Sequence, residues 1–229
     1  MHITLFKLSS GNRVGEIMWE ITTPVEFLCS DNHYLIHGVK YARVTRINSI
    51  IDKPELRYWL QKTGAAKSKE ILKTRSNFGS MLHKMIEVTL KGEKLSDNYD
   101  QYLMDSIKVF EKWRGLHEII PQALEQHLWS NTHKFAGTCD FIGLVDGKLM
   151  ILDWKSSRSI YDEYFLQMSA YVAAFYEQTG IKVEGIGILQ IRDGEYNFIT
   201  KTYDEIMQDY FPVFLAAKTI YDWKYGDSL

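Results

Sequence analysis

The residues with the clearest capacity for chemistry lie on either side of Asp146-Gly147, in the segments TCDFIGLV and KLMILDWK. An Asp-Gly pair between two apolar segments is a strong signal for a β-hairpin with a two-residue turn. A turn at these two residues places Asp140 directly opposite Asp153. Lys155 lies two residues beyond Asp153 and therefore points to the same face of the strand. The pattern thus predicts two carboxylates and one ammonium on one face of a hairpin.

This trio suits a bound cation. Like charges directly opposite each other destabilise a strand pair, so replacing either aspartate with asparagine is expected to stabilise the metal-free protein. Carboxylate oxygens are the ligands that Mg²⁺ prefers, and a bound metal stabilises the attacking and leaving oxygens of phosphodiester hydrolysis. Lys155 could orient a water molecule or neutralise developing charge. The alternative is that Asp140 and Asp153 both face solvent, although Leu149 and Ile151 share their face.

Four short patterns resemble those of the PD-(D/E)XK nuclease superfamily and, within it, the RecB-like exonuclease branch. They are Gly79-x-x-x-His83, Gly137-Thr138-Cys139-Asp140, Asp153-Trp154-Lys155 and Gln167-x-x-x-Tyr171. Their spacing is most similar to that of phage-type nucleases and the mitochondrial genome maintenance exonuclease, over roughly residues 40–190. Each pattern is weak alone, but the four in this order are specific.

The resemblance implies an α/β fold with a restriction-endonuclease-like core, in which helices flank a central mixed β-sheet. It implies a divalent metal, Mg²⁺ or Mn²⁺, held by His83, Asp140, Asp153 and the backbone carbonyl of Trp154. The implied catalytic residues are Asp140, Asp153, Lys155 and Glu125. Of these, Glu125 rests on its position in the preceding strand alone. For His83, an ordinary packing role on its helix is the alternative.

The resemblance also implies that DNA is the partner. Ser156 and Ser157 follow the lysine as they do in relatives, where a phosphate would pass. Gln167 and Tyr171 lie one turn apart on the predicted helix Asp162–Thr179. Glutamine can bond a phosphate or a base, and tyrosine can stack on one. The alternative for Tyr171 is an ordinary place in the core.

Charge distribution supports a nucleic-acid partner, although the net charge is only −2. Residues 40–75 contain ten Lys or Arg and three Asp or Glu, so this segment carries +7 and the remainder −9. A basic arm beside a carboxylate site suits contact with the phosphate backbone. The candidate contacts in the arm are Lys67, Lys69, Lys73 and Arg75. The alternative is a solvated helix face.

Composition and length narrow the class of protein. A chain of 229 residues with 45% hydrophobic residues can form one good core. No apolar run is long enough to span a membrane, and the N-terminus lacks the apolar core of a signal peptide, so no membrane partner is expected. Cys29 and Cys139 lack metal-ligand spacing, which excludes an iron–sulfur cluster and indicates an intracellular, cytoplasmic setting.

The chain is interpreted as an N-terminal β extension, residues 1–33, followed by a nuclease domain, residues 34–229. Strands are expected at His2–Lys7, Ile17–Phe27 and Tyr34–Ile47. The extension has no functional interpretation.

Helix signals follow the strands. A helix is expected to begin near Asp52, a capping acid followed by a proline. Its inward side chains are expected to be Leu56, Trp59 and Leu60. A second helix, Phe78–Leu90, is expected to bury Met81. The last helix, Asp204–Trp223, contains Pro212 and is expected to kink there.

These observations predict a metal-dependent deoxyribonuclease, with exonuclease action favoured over endonuclease action and a role in DNA repair or recombination. A non-catalytic DNA-binding subunit that keeps the fold, as a partner of a helicase or recombination protein, is the alternative. The retained acids and lysine argue against the alternative, because a protein without turnover has no need for a repulsive acid pair.

Overall fold

The computed structural model describes residues 21, 27–29, 33–96 and 98–226. The strand expected at His2–Lys7 and most of the one expected at Ile17–Phe27 lie outside these residues. The domain boundary at residue 33 therefore stays a prediction. Within the described residues, no helix is long and apolar enough to cross a membrane.

A single mixed sheet forms the centre of the described chain. Its strands are β1 (Phe27–Cys29), β2 (His33–Ile36), β3 (Val39–Arg43), β4 (Ile119–Ser130), β5 (Phe135–Val145), β6 (Lys148–Lys155), β7 (Gly185–Arg192) and β8 (Glu195–Thr202). The order is β1-β2-β3-β5-β6-β7-β8, and β4 pairs with β5 outside this path. The β3/β5 and β6/β7 pairs are parallel, and the others are antiparallel. The expected α/β class with a central mixed sheet is confirmed.

Helices flank the sheet on both faces. They are α1 (Val44–Asn48), α2 (Pro54–Thr63), α3 (Ala65–Leu90), α4 (Gln101–Arg114), α5 (Asp162–Thr179), α6 (Tyr203–Glu205) and α7 (Phe211–Tyr225). A π-helical turn, Ile206–Tyr210, separates α6 from α7. The irregularity expected near Pro212 is therefore a π turn that ends just before the proline, which occupies the first turn of α7.

The hairpin between β5 and β6 has the predicted register. Asp146 and Gly147 both have positive φ, 51° and 78°, as a two-residue turn requires. The paired residues run from Val145 and Lys148 to Phe141 and Leu152. Pairing ends there, one pair before the two aspartates, so Asp140 and Asp153 lie just beyond the paired part of the hairpin.

The end of this pairing creates a fork in the sheet. β4 covers one edge of β5 along its length, and β6 covers the other edge from Phe141 onward. At the start of β5 that second edge is taken by β3, which pairs with Phe135 and Ala136. Between these two partners, residues 137–140 of β5 face no paired strand on that edge within the described chain. We call this gap the fork.

The strand expected at Tyr34–Ile47 is wrong in its second half. The chain turns at His37-Gly38, where both residues have positive φ, and forms the β2/β3 hairpin instead of one strand. From Val44 onward it is helical, because Val44 and Ile47 pack into a core with α5 and α7. Burial of these two β-branched side chains overrides their preference for strands.

Three further expectations are corrected by the helices that follow. The helix expected at Phe78–Leu90 begins much earlier, at Ala65. No residue of α2 is fully buried, and Leu56 is 39% exposed, so this helix does not pack inward as expected. Met81 is 42% exposed instead of buried. Both Leu56 and Met81 line a cleft, which explains apolar residues that do not enter the core.

Two hydrophobic cores lie on opposite faces of the sheet, as strand alternation on β6 requires. Met150, Leu152 and Trp154 pack with α3 and α4. Leu149 and Ile151 pack on the other face with α1, α5 and α7. The chain therefore passes from one face to the other between α1 and α3.

Gly187 on β7 gives a test of this packing. A Cβ atom there would lie 2.5 Å from the Phe198 ring and 2.7 Å from a Leu152 methyl group. We expect Gly187→Ala to destabilise the fold by about 1–3 kcal/mol through overpacking, measured as a lower denaturant midpoint. Gly226→Ala is the control, because its Cβ would meet nothing within 4 Å and its φ of −58° is helical. Equal midpoints for the two variants would contradict the packing argument.

Candidate active site

Asp140 lies at the centre of the site, in the fork. Its Oδ2 accepts a hydrogen bond of 2.9 Å from the backbone N–H of Trp154. The carboxylate thus takes the place of a strand partner for β6. The same oxygen lies 3.3 Å from His83 Nδ1. Burial opposes ionisation of Asp140, but the neighbouring His83 and Lys155 and the Trp154 N–H hold the pKa of this carboxyl below its usual range.

His83 reaches Asp140 from α3. Leu82, Met85 and Ile86 fix the helix against its core and leave His83 on the face toward the sheet. Gly79, one turn earlier, permits a close approach, because a Cβ there would lie 3.3 Å from Ser156 Oγ. Burial alone would lower the pKa of His83, but the Asp140 carboxylate raises it to about 9. In the metal-free protein the imidazole is therefore protonated at neutral pH.

Glu125 joins these two residues from β4. Its backbone has a positive φ of 50°, a local irregularity opposite the fork. Ligand atoms of His83, Glu125 and Asp140 all lie within 4.8 Å of one another, so these three could hold a metal ion. Loss of hydration and the Asp140 charge raise the pKa of Glu125 to about 7, although the residue is reachable by solvent.

Asp153 lies beside this group and is only 2% exposed. Its Oδ1 accepts a hydrogen bond of 3.1 Å from Gln167 Nε2. Its Oδ2 is 2.5 Å from Lys155 Nζ, but within the described chain it accepts no well-aligned hydrogen bond. Burial raises the pKa of Asp153 to about 6; Asp140 adds to this effect and Lys155 opposes it. A buried carboxylate oxygen without an aligned donor fits a cation ligand.

Lys155 is held by three neighbours. Its ammonium contacts Asp153, donates a hydrogen bond of 3.4 Å to Gln167 Oε1, and lies 4.7 Å from the centre of the Tyr164 ring. Burial opposes the charge, but Asp153 and Asp140 raise the pKa of Lys155 above its usual value. The lysine is therefore a charged donor at neutral pH.

The structure gives Tyr171 a different place from the one expected. Its ring is 3% exposed and packs against Gly137, where a Cβ would lie 2.7 Å from the ring. A buried ring is not accessible to a stacking base, so its burial favours the alternative, a place in the core. Gln167 Nε2 donates to the Tyr171 hydroxyl at 3.1 Å, and the same nitrogen donates to Asp153. Gln167 thus links the Tyr171 hydroxyl to the Asp153 carboxylate inside the protein.

Tyr164 is a site residue that the sequence reasoning missed. It lies three residues before Gln167 on α5, so Tyr164, Gln167 and Tyr171 share one face of the helix. Helical spacing from the recognised glutamine was the available signal. The aromatic face beside Lys155 favours its charged form.

A cleft of about 1550 Å³ opens beside His83, Trp154 and Lys155. Its basic lining residues are Lys53, Arg75, Lys155, Arg158 and Arg192, and its acidic lining residues are Asp52, Glu55, Asp100 and Glu163. Its aromatic lining residues are Trp59, Phe78, Trp154, Tyr102, Tyr161 and Tyr164. Ser156 and Ser157 also line it, and their contact with a phosphate stays a prediction.

The basic arm divides into two groups. Arg75 lines the cleft and lies over the Trp59 ring, 5.8 Å from its centre. Lys67, Lys69 and Lys73 are exposed on α3 but do not line the cleft. The sequence reasoning did not select Arg192, which comes from the end of β7 and is remote in sequence from the recognised patterns.

Comparisons with known proteins add little to this geometry. No protein-family model matches the chain, and no curated protein matches it. Among solved structures the chain is similar to SSO0001, at 18% identity and a TM-score of 0.39, over 78% of this chain and 74% of that one.

It is also similar to an alkaline exonuclease, LHK-Exo, from Laribacter hongkongensis, at 11% identity and a TM-score of 0.34, over 82% of this chain and 95% of that one. The structure of LHK-Exo in complex with dAMP matches at 12% identity and a TM-score of 0.32, with the same coverage of 82% and 95%. These scores carry no argument about function, which has to rest on the site itself.

The two aspartates are expected to respond in opposite directions to neutralisation. The carboxyl of Asp153 has a folded pKa near 6, above the ordinary 3.8. Ionisation of this buried group therefore lowers the free energy of unfolding as the pH rises from 3.8 to about 6. The loss is absent below pH 3.8 and complete above about pH 6. We expect Asp153→Asn to raise the Tm of the metal-free protein at neutral pH, by about 2–4 °C per kcal/mol gained. The gain should vanish as the pH falls to 3.8.

Asp140→Asn is expected to lower the Tm under the same conditions, because it removes the charge that faces protonated His83. This revises the expectation from the sequence that either substitution stabilises the protein. Melting curves with a chelator present test both variants. A rise for both would mean that the His83 contact does not hold Asp140, and a fall for both would mean that Asp153 is not strained by burial.

Proposed function

We propose that this protein is a divalent-metal-dependent nuclease that hydrolyses phosphodiester bonds of DNA, and that it belongs to the RecB-like exonuclease branch of the PD-(D/E)XK superfamily. One observation carries the proposal. Two buried carboxylates, an imidazole and a charged lysine converge in the fork at the end of an aromatic-lined cleft that also presents three arginines. The four sequence patterns that suggested the superfamily supply most of these groups.

The donor set fits Mg²⁺ or Mn²⁺. Carboxylate oxygens suit these ions, and Asp153 offers a buried oxygen with no aligned hydrogen bond. The proposed ligands are His83, Glu125, Asp140, Asp153 and the backbone carbonyl of Trp154. When bound, the ion supplies positive charge that stabilises the attacking and leaving oxygens. Glu125 was expected as a catalytic residue, and its closeness to His83 and Asp140 supports a ligand role.

Lys155 is proposed to act as a fixed positive donor. Its raised pKa keeps it protonated at neutral pH, so it is poorly suited to accept a proton from water. Held by Asp153, Gln167 and Tyr164, it can donate a hydrogen bond to the attacking water or to a phosphate oxygen. It thereby orients the reacting atoms and neutralises charge that develops on the phosphate.

The alternative of a binding subunit without turnover is less well supported. Such a protein would gain nothing from keeping Asp153 buried beside Asp140, where the ionised form of Asp153 raises the free energy of the fold. DNA binding through the cleft requires only its arginines and aromatic side chains. The buried acids have a function if they bind a cation next to the scissile phosphate.

The chemistry is tested by substitutions at the fork. We expect Asp140→Asn, Asp153→Asn and Lys155→Ala each to lower metal-dependent cleavage of DNA by about 100-fold or more. Asp146→Asn is the control, because it lies in the same hairpin, at the exposed turn, and asparagine tolerates its positive φ. Cleavage is measured with labelled DNA, with and without a chelator, on proteins shown to be folded. Activity close to that of Asp146→Asn in any fork variant would remove that residue from the proposed machinery.

The cleft is tested through the salt dependence of binding. We expect Arg75→Ala to weaken DNA binding and to reduce the slope of log affinity against log salt by about 0.7, the value for one phosphate contact on a single strand. Lys73→Ala is the matched control on the same helix, since Lys73 is exposed but lies outside the cleft. Affinities are measured in an Asp153→Asn background without turnover. Equal slopes for Arg75→Ala and Lys73→Ala would mean that DNA does not follow the cleft.

A further inference from the structure

Gln190 is a buried polar side chain next to the site that the proposed mechanism does not use. It lies on β7, where every other residue from Gly185 to Ile191 is glycine, isoleucine or leucine. Its exposed fraction is only 9%. Gln190 pairs with Lys155 of β6, so the two side chains point to the same face of the sheet. A buried amide costs free energy unless it is hydrogen-bonded, so its contacts indicate why it is there.

The Gln190 amide holds the turn that follows β6. Its Nε2 donates a hydrogen bond of 2.7 Å to the backbone carbonyl of Ser157. Ser157 Oγ in turn donates a hydrogen bond of 2.8 Å to the Ser159 carbonyl, within the same turn. Ser157 and Arg158 line the cleft, whereas Gln190 does not. Gln190 therefore supports this wall of the cleft from the interior of the protein.

Holding the Ser157 carbonyl also fixes the residue that follows it. The atoms of a peptide unit, which include the next Cα atom, lie close to one plane. The hydrogen bond from Gln190 thus fixes the Arg158 Cα atom, from which the guanidinium extends. Loss of this bond is expected to let the plane rotate and to displace the guanidinium.

Arg158 is available to bind a ligand. It is one of three arginines that line the cleft, with Arg75 and Arg192. Arg75 lies over the Trp59 ring, and Arg192 Nε lies 2.9 Å from Asp193 Oδ2. Arg158 is exposed and makes no hydrogen bond or ion pair with any residue that the structure describes. Its guanidinium is therefore free to pair with a phosphate, which it can do through two parallel hydrogen bonds.

We propose that Gln190 is a positioning residue for DNA binding: through the Ser157 carbonyl, it places the Arg158 guanidinium against a phosphate of the strand in the cleft. This inference rests on the proposed nuclease function and adds to it a residue that does not touch DNA. Since Arg158 follows Lys155 by three residues, the bound phosphate lies near the one that is cleaved.

The salt dependence of binding gives the first test, because Gln190 carries no charge. Affinity for a labelled single-stranded oligonucleotide is measured over a range of salt concentrations in an Asp153→Asn background without turnover. We expect Arg158→Ala to reduce the slope of log affinity against log salt by about 0.7, the value for one phosphate contact on a single strand. We expect Gln190→Met to reduce the slope equally, although it removes no charge, and the double variant to reduce it no further.

Gln178→Met is the matched control. Gln178 Nε2 also donates to a backbone carbonyl, that of Trp129 at 2.6 Å, and Gln178 does not line the cleft. This variant loses the same kind of hydrogen bond and is expected to keep the full slope. An unchanged slope in folded Gln190→Met, or a further decrease in the double variant, would overturn the positioning role and leave the nuclease proposal intact. Absence of both oligonucleotide binding by the parent and cleavage by the wild type would overturn both.

The kinetics of the active protein give the second test. A residue that positions a binding group changes the affinity for substrate without changing the chemical step. We therefore expect Gln190→Met to raise KM by about fivefold and to leave kcat within about twofold of the wild type. Gln178→Met should change neither constant. A fall in kcat at unchanged KM, in a variant whose melting curve shows that it is folded, would mean that Gln190 acts on the chemical step and would overturn the proposal.

Discussion

The structure depends on how Asp140 is buried. A carboxylate at 9% exposure is costly unless its oxygens are satisfied, and here the Trp154 N–H and the His83 imidazole satisfy one of them. The first contact requires β6 to diverge from β5, and the second requires α3 to pass close to the sheet at Gly79. The fork, the helix approach and the site are thus three consequences of one buried charge.

The positions of the remaining groups follow from α5. Its inward face places Gln167 between Asp153, Lys155 and the hydroxyl of Tyr171, so one amide fixes both the carboxylate and the ammonium. Tyr171 in turn fills the space left by Gly137 in the fork. The Tyr171 ring fits only because residue 137 has no side chain, so the two residues depend on each other.

Local signals in the sequence predicted the elements that local physics determines. The turn at Asp146-Gly147, the register of its hairpin and the bounds of α5 are all as expected. The errors occur where distant contacts decide. Val44 and Ile47 become helical because a remote core receives them, and the burial of Tyr171 depends on a fork that no short stretch encodes. The place of Glu125 beside His83 likewise required the positions of three separate elements.

The parallel pairing of β3 with β5 has a consequence for how the protein folds. Ala42 pairs with Phe135. Bringing these two residues together closes a long loop, and the entropy of the loop is lost before the strand contacts form. Such non-local strand pairing forms slowly compared with hairpins and helices. All four recognised patterns lie between Gly79 and Tyr171, yet one arm of the fork comes from Val39–Arg43. A fragment that contains every pattern would still lack that arm, so the fork is complete only when the two distant parts of the chain have joined.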